Sequence, residues 1–275
     1  MIATFIIFLR EGVEASMIVA ILLASLDRLG QRRHFRDVLA GVTAALILVG
    51  VGGVVAYLTI KTYAGSRAQV IFETVTYLVA GAVLTYMTFW MRNHAQSLST
   101  QLHRRTQAAL DGRARWGIRL LAFQAVGREG LETMVFTLAI VFASSAHGAL
   151  VGGGAGLAVS LLIAFAIYRL GKRVDVARFF TVVGALLVVF AAGILVDAVE
   201  NLQQLGWLPI LTHRMWDTSH LLREESTLGD IFRSFFGYAS SPTVGQVLVY
   251  LVYLTAALGA FFATRPARKS AGSLA

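Results

Sequence analysis

Seven long apolar segments dominate this chain of 275 residues and limit what it can fold into. Each segment reaches the length that an α-helix needs to cross a hydrocarbon core of ~30 Å. Hydrophobic residues make up 57% of the chain and charged residues only 14%, and three prolines are all that could interrupt the helices. The pattern predicts an all-α integral membrane protein with seven transmembrane helices, at about residues 2–26, 38–60, 68–91, 118–143, 148–170, 177–200 and 244–264.

The distribution of basic residues predicts how these helices are oriented. Of the 24 Lys and Arg residues, 17 lie in the connections after the first, third, fifth and seventh helices, and five lie on the other side. Cytoplasmic loops carry such an excess of positive charge. We therefore expect a multi-pass protein of the plasma (inner) membrane with its N-terminus outside and its C-terminus in the cytoplasm. The formal net charge of +9 then follows from topology and does not indicate nucleic-acid binding.

A charged motif of five residues occurs twice in the chain. Arg10-Glu11-Gly12-Val13-Glu14 lies in the first predicted helix, and Arg128-Glu129-Gly130-Leu131-Glu132 lies in the fourth. Three helices per copy place the second copy in the membrane upside down, which is an architecture of transporters with a substrate site near the midplane. Weaker matches support the repeat, among them Gly41 with Gly152 and Phe72 with Phe179.

The repeat divides a single membrane domain into five parts. We assign repeat one to about 1–91, a cytoplasmic loop to 92–117, repeat two to 118–200, an outer loop to 201–243 and the seventh helix to 244–264. The fold class is therefore two inverted three-helix repeats followed by a C-terminal helix.

The acids of the two motifs are candidate metal ligands. Glu11 lies ~14 Å along its helix, near the middle of the bilayer, where one charge costs ~3 kcal/mol on insertion scales. Residues three apart share a helix face, so Glu11 points with Glu14, and Glu129 points with Glu132. If the two helices cross at the repeat axis, four carboxylates meet in one cavity, with Arg10 and Arg128 balancing part of their charge. Such a site suits a multivalent cation that prefers oxygen ligands.

Other interpretations of these charges stay open. Arg10 with Glu14 and Arg128 with Glu132 could form self-neutralising pairs that only fix helix packing, and carboxylate chains can also relay protons. Glu73, near the outer end of the third helix, could line the path by which an ion enters, or it could be an interfacial carboxylate. The outer acids and histidines could form a vestibule that attracts metal ions, or a solvated loop; these residues are Asp197, Glu200, His213, Asp217, His220, Glu224, Glu225 and Asp230.

With the motif repeated in the first and fourth of seven helices, the chain resembles the oxidase-dependent iron transporters, which comprise fungal high-affinity iron permeases and bacterial Efe-type iron permeases. The resemblance covers nearly the whole chain. It is similar to the bacterial branch at further positions: Thr85-Tyr86-Met87 with Trp90, Ala192-Gly193, Gly206-Trp207-Leu208-Pro209, Met215-Trp216-Asp217, Phe236-Gly237-Tyr238 and Pro242.

The resemblance implies that Glu11, Glu14, Glu129 and Glu132 carry iron, with Arg10 and Arg128 beside them. It also implies a separate extracytoplasmic protein that oxidises or delivers the iron. Iron is then the transported substrate, and we expect no cofactor and no enzymatic activity. The alternatives are a permease for another metal such as lead, or a membrane-embedded metalloenzyme. The chain offers no His/Glu helix motif of the zinc-hydrolase type and no cysteine for a thiolate site.

Overall fold

The computed structural model describes residues 1–94, 116–143, 146–170, 176–220, 222, 226, 229, 232–233 and 236–263. Within these residues the chain forms seven α-helices, as the sequence predicts, and each begins and ends within about four residues of its predicted bounds. They are α1 (Ile2–Arg28), α2 (Phe35–Thr62), α3 (Arg67–His94), α4 (Gly117–Ala143), α5 (Ala146–Leu170), α6 (Val176–Gln204) and α7 (Val244–Ala263). Most of the predicted cytoplasmic loop lies outside the described residues.

Two helices end at a glycine that has a positive φ angle. Gly30, with φ 67°, follows α1, and Gly206, with φ 74°, follows α6. After α1 the Gly30 amide donates to the Asp27 carbonyl at 3.0 Å, and the next amide reaches back to Leu26 at 2.8 Å. This pair of hydrogen bonds is the Schellman arrangement, which satisfies the last carbonyls of a helix and requires a left-handed residue.

Five of the described helices are long and apolar enough to cross a membrane. The two others, α1 and α4, carry the charged motifs; both are 27 residues long, or ~40 Å. The five apolar spans are Arg32–Thr62, Arg67–Trp90, His147–Phe165, Thr181–Gln204 and Val244–Ala263. The charges of the motif therefore distinguish α1 and α4 from the five apolar helices.

The contacts between helices are those expected when the two repeats are related by a pseudo-twofold axis. Swapping α1 with α4, α2 with α5 and α3 with α6 turns the extensive α1–α5 interface into the equally extensive α2–α4 interface. The α3–α6 and α1–α4 interfaces map onto themselves. Helix α7 packs on α6 and has no counterpart. The fold is thus a pseudo-twofold arrangement of two three-helix units with one added helix.

Glycines at the two equivalent crossings show this symmetry at the level of single atoms. A Cβ atom on Gly41 of α2 would overlap the backbone oxygen of Arg119, and one on Gly152 of α5 would overlap that of Met1. Met1 and Arg119 both lie nine residues before the arginine of their own motif. The two repeats therefore cross in the same register, and both crossings depend on the absence of a side chain.

Apolar clusters fill the two ends of the bundle unequally. One cluster joins residues from five helices, α1, α3, α4, α5 and α6, and includes Ile7, Tyr77, Phe136 and Leu187. The second joins only α1, α2 and α4, around Leu22 and Leu26. The α3–α6 pair is therefore packed into the core at the end where α1 begins, and it contributes nothing to the cluster at the end where α1 finishes.

Candidate metal centre

The two charged motifs meet where α1 packs against α4. Gly12 and Gly130, at the centre of the motifs, allow the neighbouring helices to approach. A Cβ atom on Gly12 would overlap Ser160 of α5, and one on Gly130 would lie 2.9 Å from Val49 of α2. Ser160 and Val49 occupy equivalent positions, eight residues after the glycines of the two crossings. The repeat thus places both sets of acids at the pseudo-twofold axis, as the sequence predicts.

Three of the four acids form a compact group. One carboxylate oxygen from each of Glu11, Glu14 and Glu129 lies within 4.8 Å of the other two. All three side chains are buried. Two oxygens on opposite sides of a metal ion are ~4.4 Å apart for bonds of ~2.2 Å, so a small shift of the side chains would close the group around one ion.

Each of these acids keeps an oxygen that the protein does not satisfy. The Oε2 atoms of Glu11, Glu14 and Glu129 are buried and have no hydrogen-bond partner among the described residues. Buried carboxylate oxygens nearly always have a partner, because losing hydration without one costs several kcal/mol. The Oε2 atom of Glu132 shares this feature. Four such oxygens on the two motifs make this group a candidate site for a cation.

The first arginine is enclosed in the group. Arg10 is 2% exposed. Its Nη1 atom donates to Oε1 of Glu11 at 2.6 Å, and its Nη2 atom has no partner among the described residues. This guanidinium therefore offsets part of the negative charge from within the cluster.

The second arginine has a different environment although its motif is the same. Arg128 exposes 47% of its side chain. Its Nε atom lies 3.1 Å from Oε1 of Glu132 and 3.9 Å from Oε1 of Glu129. On its other side, Nη2 lies 3.3 Å from Sδ of Met87, and the guanidinium carbon lies 5.1 Å from the centre of the Trp90 ring.

The structure therefore modifies the expectation of four equivalent ligands. Glu132 is 14% exposed and paired with Arg128, and it lies outside the group of three. The self-neutralising pair at i and i+4 forms in the second motif, while Arg10 pairs with the adjacent Glu11 instead of Glu14. Sequence reasoning also missed the contacts of Met87 and Trp90 with Arg128, which their spacing of three on α3 could have suggested.

The remaining candidate acids lie apart from this group. Glu73 is half-buried and accepts a hydrogen bond from Gln69 at 2.7 Å. Its place on a path for the ion stays a prediction.

The outer-loop residues are partly described. Asp197 and Glu200 lie 3.8 Å and 3.5 Å from Arg233, and His213 and His220 are exposed. Hydrogen bonds from the Ser219 hydroxyl and amide lower the pKa of the exposed Asp217. Glu224, Glu225 and Asp230 lie outside the described residues.

A seven-helix bundle with inverted repeats and buried, unsatisfied carboxylates at its axis defines a membrane permease for a metal cation. The chain belongs to the Iron permease FTR1 family, which it matches over residues 1–266. This family assignment identifies the transported metal as iron.

Curated relatives cover nearly the whole chain. It is 34% identical over 275 residues to the ferrous iron permease EfeU of Yersinia pestis, a match that covers 99% of this chain and 96% of the relative. It is 31% identical over 267 residues to the protein of the same name from Escherichia coli O6:K15:H31, covering 95% of each chain. No solved structure matches the chain.

Proposed function

We propose that this chain imports iron into the cell across the plasma (inner) membrane, and that Glu11, Glu14 and Glu129 bind the ion in transit with Glu132 at the edge of the site. The observation that supports this is the group of buried carboxylates, each with an oxygen that lacks a partner. Packing alone gives no reason to hold three acids in this arrangement, because each unpaired polar atom opposes folding. A bound cation turns the same arrangement into a favourable one.

The ligand chemistry supports a hard or borderline cation. Carboxylates favour such ions over soft ones, and the group has no thiolate to attract lead or copper(I). Since the named relatives are ferrous iron permeases, we propose ferrous iron as the form supplied outside the cell, before any partner acts on it. Lead is the alternative cargo, and a competition experiment distinguishes it from iron.

The proposed orientation supports import. With the N-terminus outside, the acids Asp197 and Glu200 at the end of α6 face the exterior, and the connection between α3 and α4 faces the cytoplasm. We further propose that a separate extracytoplasmic protein oxidises the iron or delivers it at the outer face.

Uptake of ⁵⁵Fe²⁺ by the purified chain in liposomes under anaerobic conditions tests this function. Wild-type protein should accumulate iron, and Glu129→Gln should reduce uptake at least ~100-fold. The matched control is Asp27→Asn, which neutralises an exposed acid near the end of α1, outside the site, and should transport normally. Uptake that an excess of Pb²⁺ suppresses more strongly than unlabelled Fe²⁺ would change the proposed cargo. Normal uptake by Glu129→Gln would remove the cluster from the pathway.

A further inference from the structure

The two motifs have nearly the same sequence but place their arginines differently. Arg10 lies inside the cluster, bonded to the glutamate that follows it. Arg128 turns away from the equivalent glutamate, which lies 3.9 Å from its Nε atom, and pairs with Glu132 at 3.1 Å. Since the motif itself is repeated, this difference must come from the helices around it.

Two side chains of helix α3 contact Arg128 on the side that faces away from the carboxylate cluster. The Met87 sulfur and the Trp90 ring lie on one face of α3, and both contact the guanidinium group. A guanidinium within ~6 Å of an aromatic ring centre gains a favourable cation–π interaction. In α6, counting from Phe72 and Phe179, the equivalent positions are occupied by Ile194 and Asp197. Arg10 therefore has no aromatic ring at the equivalent place.

We propose that Met87 and Trp90 form a seat for Arg128, and that this seat holds the guanidinium out of the carboxylate cluster so that it does not compete with the transported ion. The inference rests on the proposed function, because it assigns to these residues a role in ion binding at that site. Trp90 and Met87 are then positioning residues that act through Arg128.

The competition follows from charge. With Arg128 on its seat, only Arg10 is in hydrogen-bonding contact with the three carboxylates, at 2.6 Å from Glu11, while Arg128 stays 3.9 Å from Glu129. The net negative charge of the group then attracts a divalent ion. If Arg128 took the position that Arg10 shows, beside the glutamate that follows it, a second positive charge would enter the group. Moving from the present 3.9 Å to the 2.6 Å that Arg10 shows would turn a distant attraction into a direct hydrogen bond, and this guanidinium would then occupy an oxygen that the metal needs.

Removing the seat should therefore weaken iron binding more than it slows transport. We expect Trp90→Leu to raise the apparent KM for ⁵⁵Fe²⁺ uptake by about two- to five-fold, the range that a cation–π contact with a half-exposed guanidinium predicts. The maximal rate should stay within about two-fold of wild type. Trp90→Phe, which keeps an aromatic ring, should restore most of the affinity. Equilibrium binding of ⁵⁵Fe²⁺ to the detergent-solubilised protein should shift by the same factor as KM.

The chain offers a matched control on the same helix as Arg128. Trp116 stacks on Arg119, with the guanidinium carbon 4.7 Å from its ring centre, away from the motif acids. Trp116→Leu removes the same kind of contact and should leave KM unchanged. A rise in KM as large as that of Trp90→Leu would show that the effect does not depend on Arg128, and it would overturn the proposal.

A double-mutant cycle provides the second criterion. In an Arg128→Gln background no guanidinium remains on the seat to move into the cluster, so adding Trp90→Leu should change iron affinity by less than about two-fold. An undiminished effect of Trp90→Leu in that background would refute the seat, as would an unchanged KM in the single variant. If Arg128→Gln does not fold, Met87→Leu with Trp90→Leu serves instead, and its shift in KM must equal or exceed that of the single variant.

Comparing Trp90→Leu with Glu129→Gln distinguishes an error about the seat from an error about the metal site. If Trp90→Leu has no effect on KM while Glu129→Gln abolishes uptake, only the seat is wrong. If both variants transport iron normally, the carboxylate cluster is not the site.

Discussion

Replacing the motif glutamates one at a time by glutamine should divide them into two classes. Glutamine keeps the volume of the side chain but removes the charge and one strong ligand oxygen. Glu14 and Glu129 are buried within the group, whereas Glu132 is partly exposed and already neutralised by Arg128. Equal effects of all four substitutions, which the sequence suggested, are therefore not what the structure predicts.

The burial of these residues sets the size of the effects. Removing one partner of a fully buried charged group costs ~3–5 kcal/mol, which corresponds to roughly two to four orders of magnitude in ion affinity. The Arg128 side of its pair with Glu132 is half exposed, and a partly solvated pair is worth less than a buried one, so Glu132→Gln should cost only about five- to ten-fold. A Glu14→Gln/Glu129→Gln double variant should be scarcely worse than either single variant, because residues that act as a unit are not additive.

Protein stability should separate these variants further. Glu14→Gln removes a buried carboxylate whose Oε2 atom has no partner, so the iron-free protein should be as stable as wild type or more stable. Glu11→Gln takes the ion-pair partner from the buried Arg10, and its melting temperature and yield should fall.

The assay is ⁵⁵Fe²⁺ uptake into liposomes, normalised to inserted protein, with equilibrium iron binding and thermal unfolding measured on the same preparations. Asp27→Asn, an exposed substitution outside the site, is the control. Iron affinity of Glu14→Gln within ten-fold of wild type would contradict the shared site. A loss in Glu132→Gln as large as that in Glu14→Gln would contradict the ranking.

Three further predictions concern topology, packing and the seventh helix. A cysteine at Leu29 should resist impermeant thiol reagents in intact cells, while one at Ala64 should react; the reverse pattern would invert the proposed orientation. Gly12→Ala should lower the melting temperature, since its Cβ atom would overlap a serine of α5 and overpacking costs ~1–3 kcal/mol, whereas Gly154→Ala, which has open space around it, should not. Tyr253→Phe removes the 2.6 Å hydroxyl contact between α7 and a threonine of α3, and it should reduce unfolding free energy by ~0.6 kcal/mol; a loss above ~2 kcal/mol would point to a larger polar network.

The helices and the position of the site could be predicted because the sequence signals that define them are strong. Apolar runs long enough to span a bilayer leave few alternatives to helices. The repeated motif fixes which helices correspond, and the symmetry then brings α1 and α4 together. The match of Gly41 with Gly152, weak on its own, proves to mark the two equivalent helix crossings.

The unequal environments of the two motifs could not be predicted from the motifs themselves. Local spacing predicts an i and i+4 pair in both copies, and the pair forms for Arg128 only. What decides between the two arrangements is the neighbouring helix, which presents Trp90 at one place and Asp197 at the equivalent place. The five residues of the motif do not determine which side chains of other helices pack against them. The division into a group of three acids and a separate Glu132 is therefore visible only in the folded chain.

The arginines also explain how such a site could release what it binds. Carboxylates alone, buried at the centre of a membrane protein, would hold a multivalent cation too tightly for turnover and would repel one another when empty. Arg10 inside the group lowers both penalties, because it offsets charge in the empty site and weakens the hold on the ion. Arg128 lies at the rim, 3.9 Å from Glu129, and the affinity for the ion would change if that distance changed. A permease needs affinity that differs between capture and release, and a fixed set of carboxylates cannot supply that difference, whereas a guanidinium that moves by a few ångströms can.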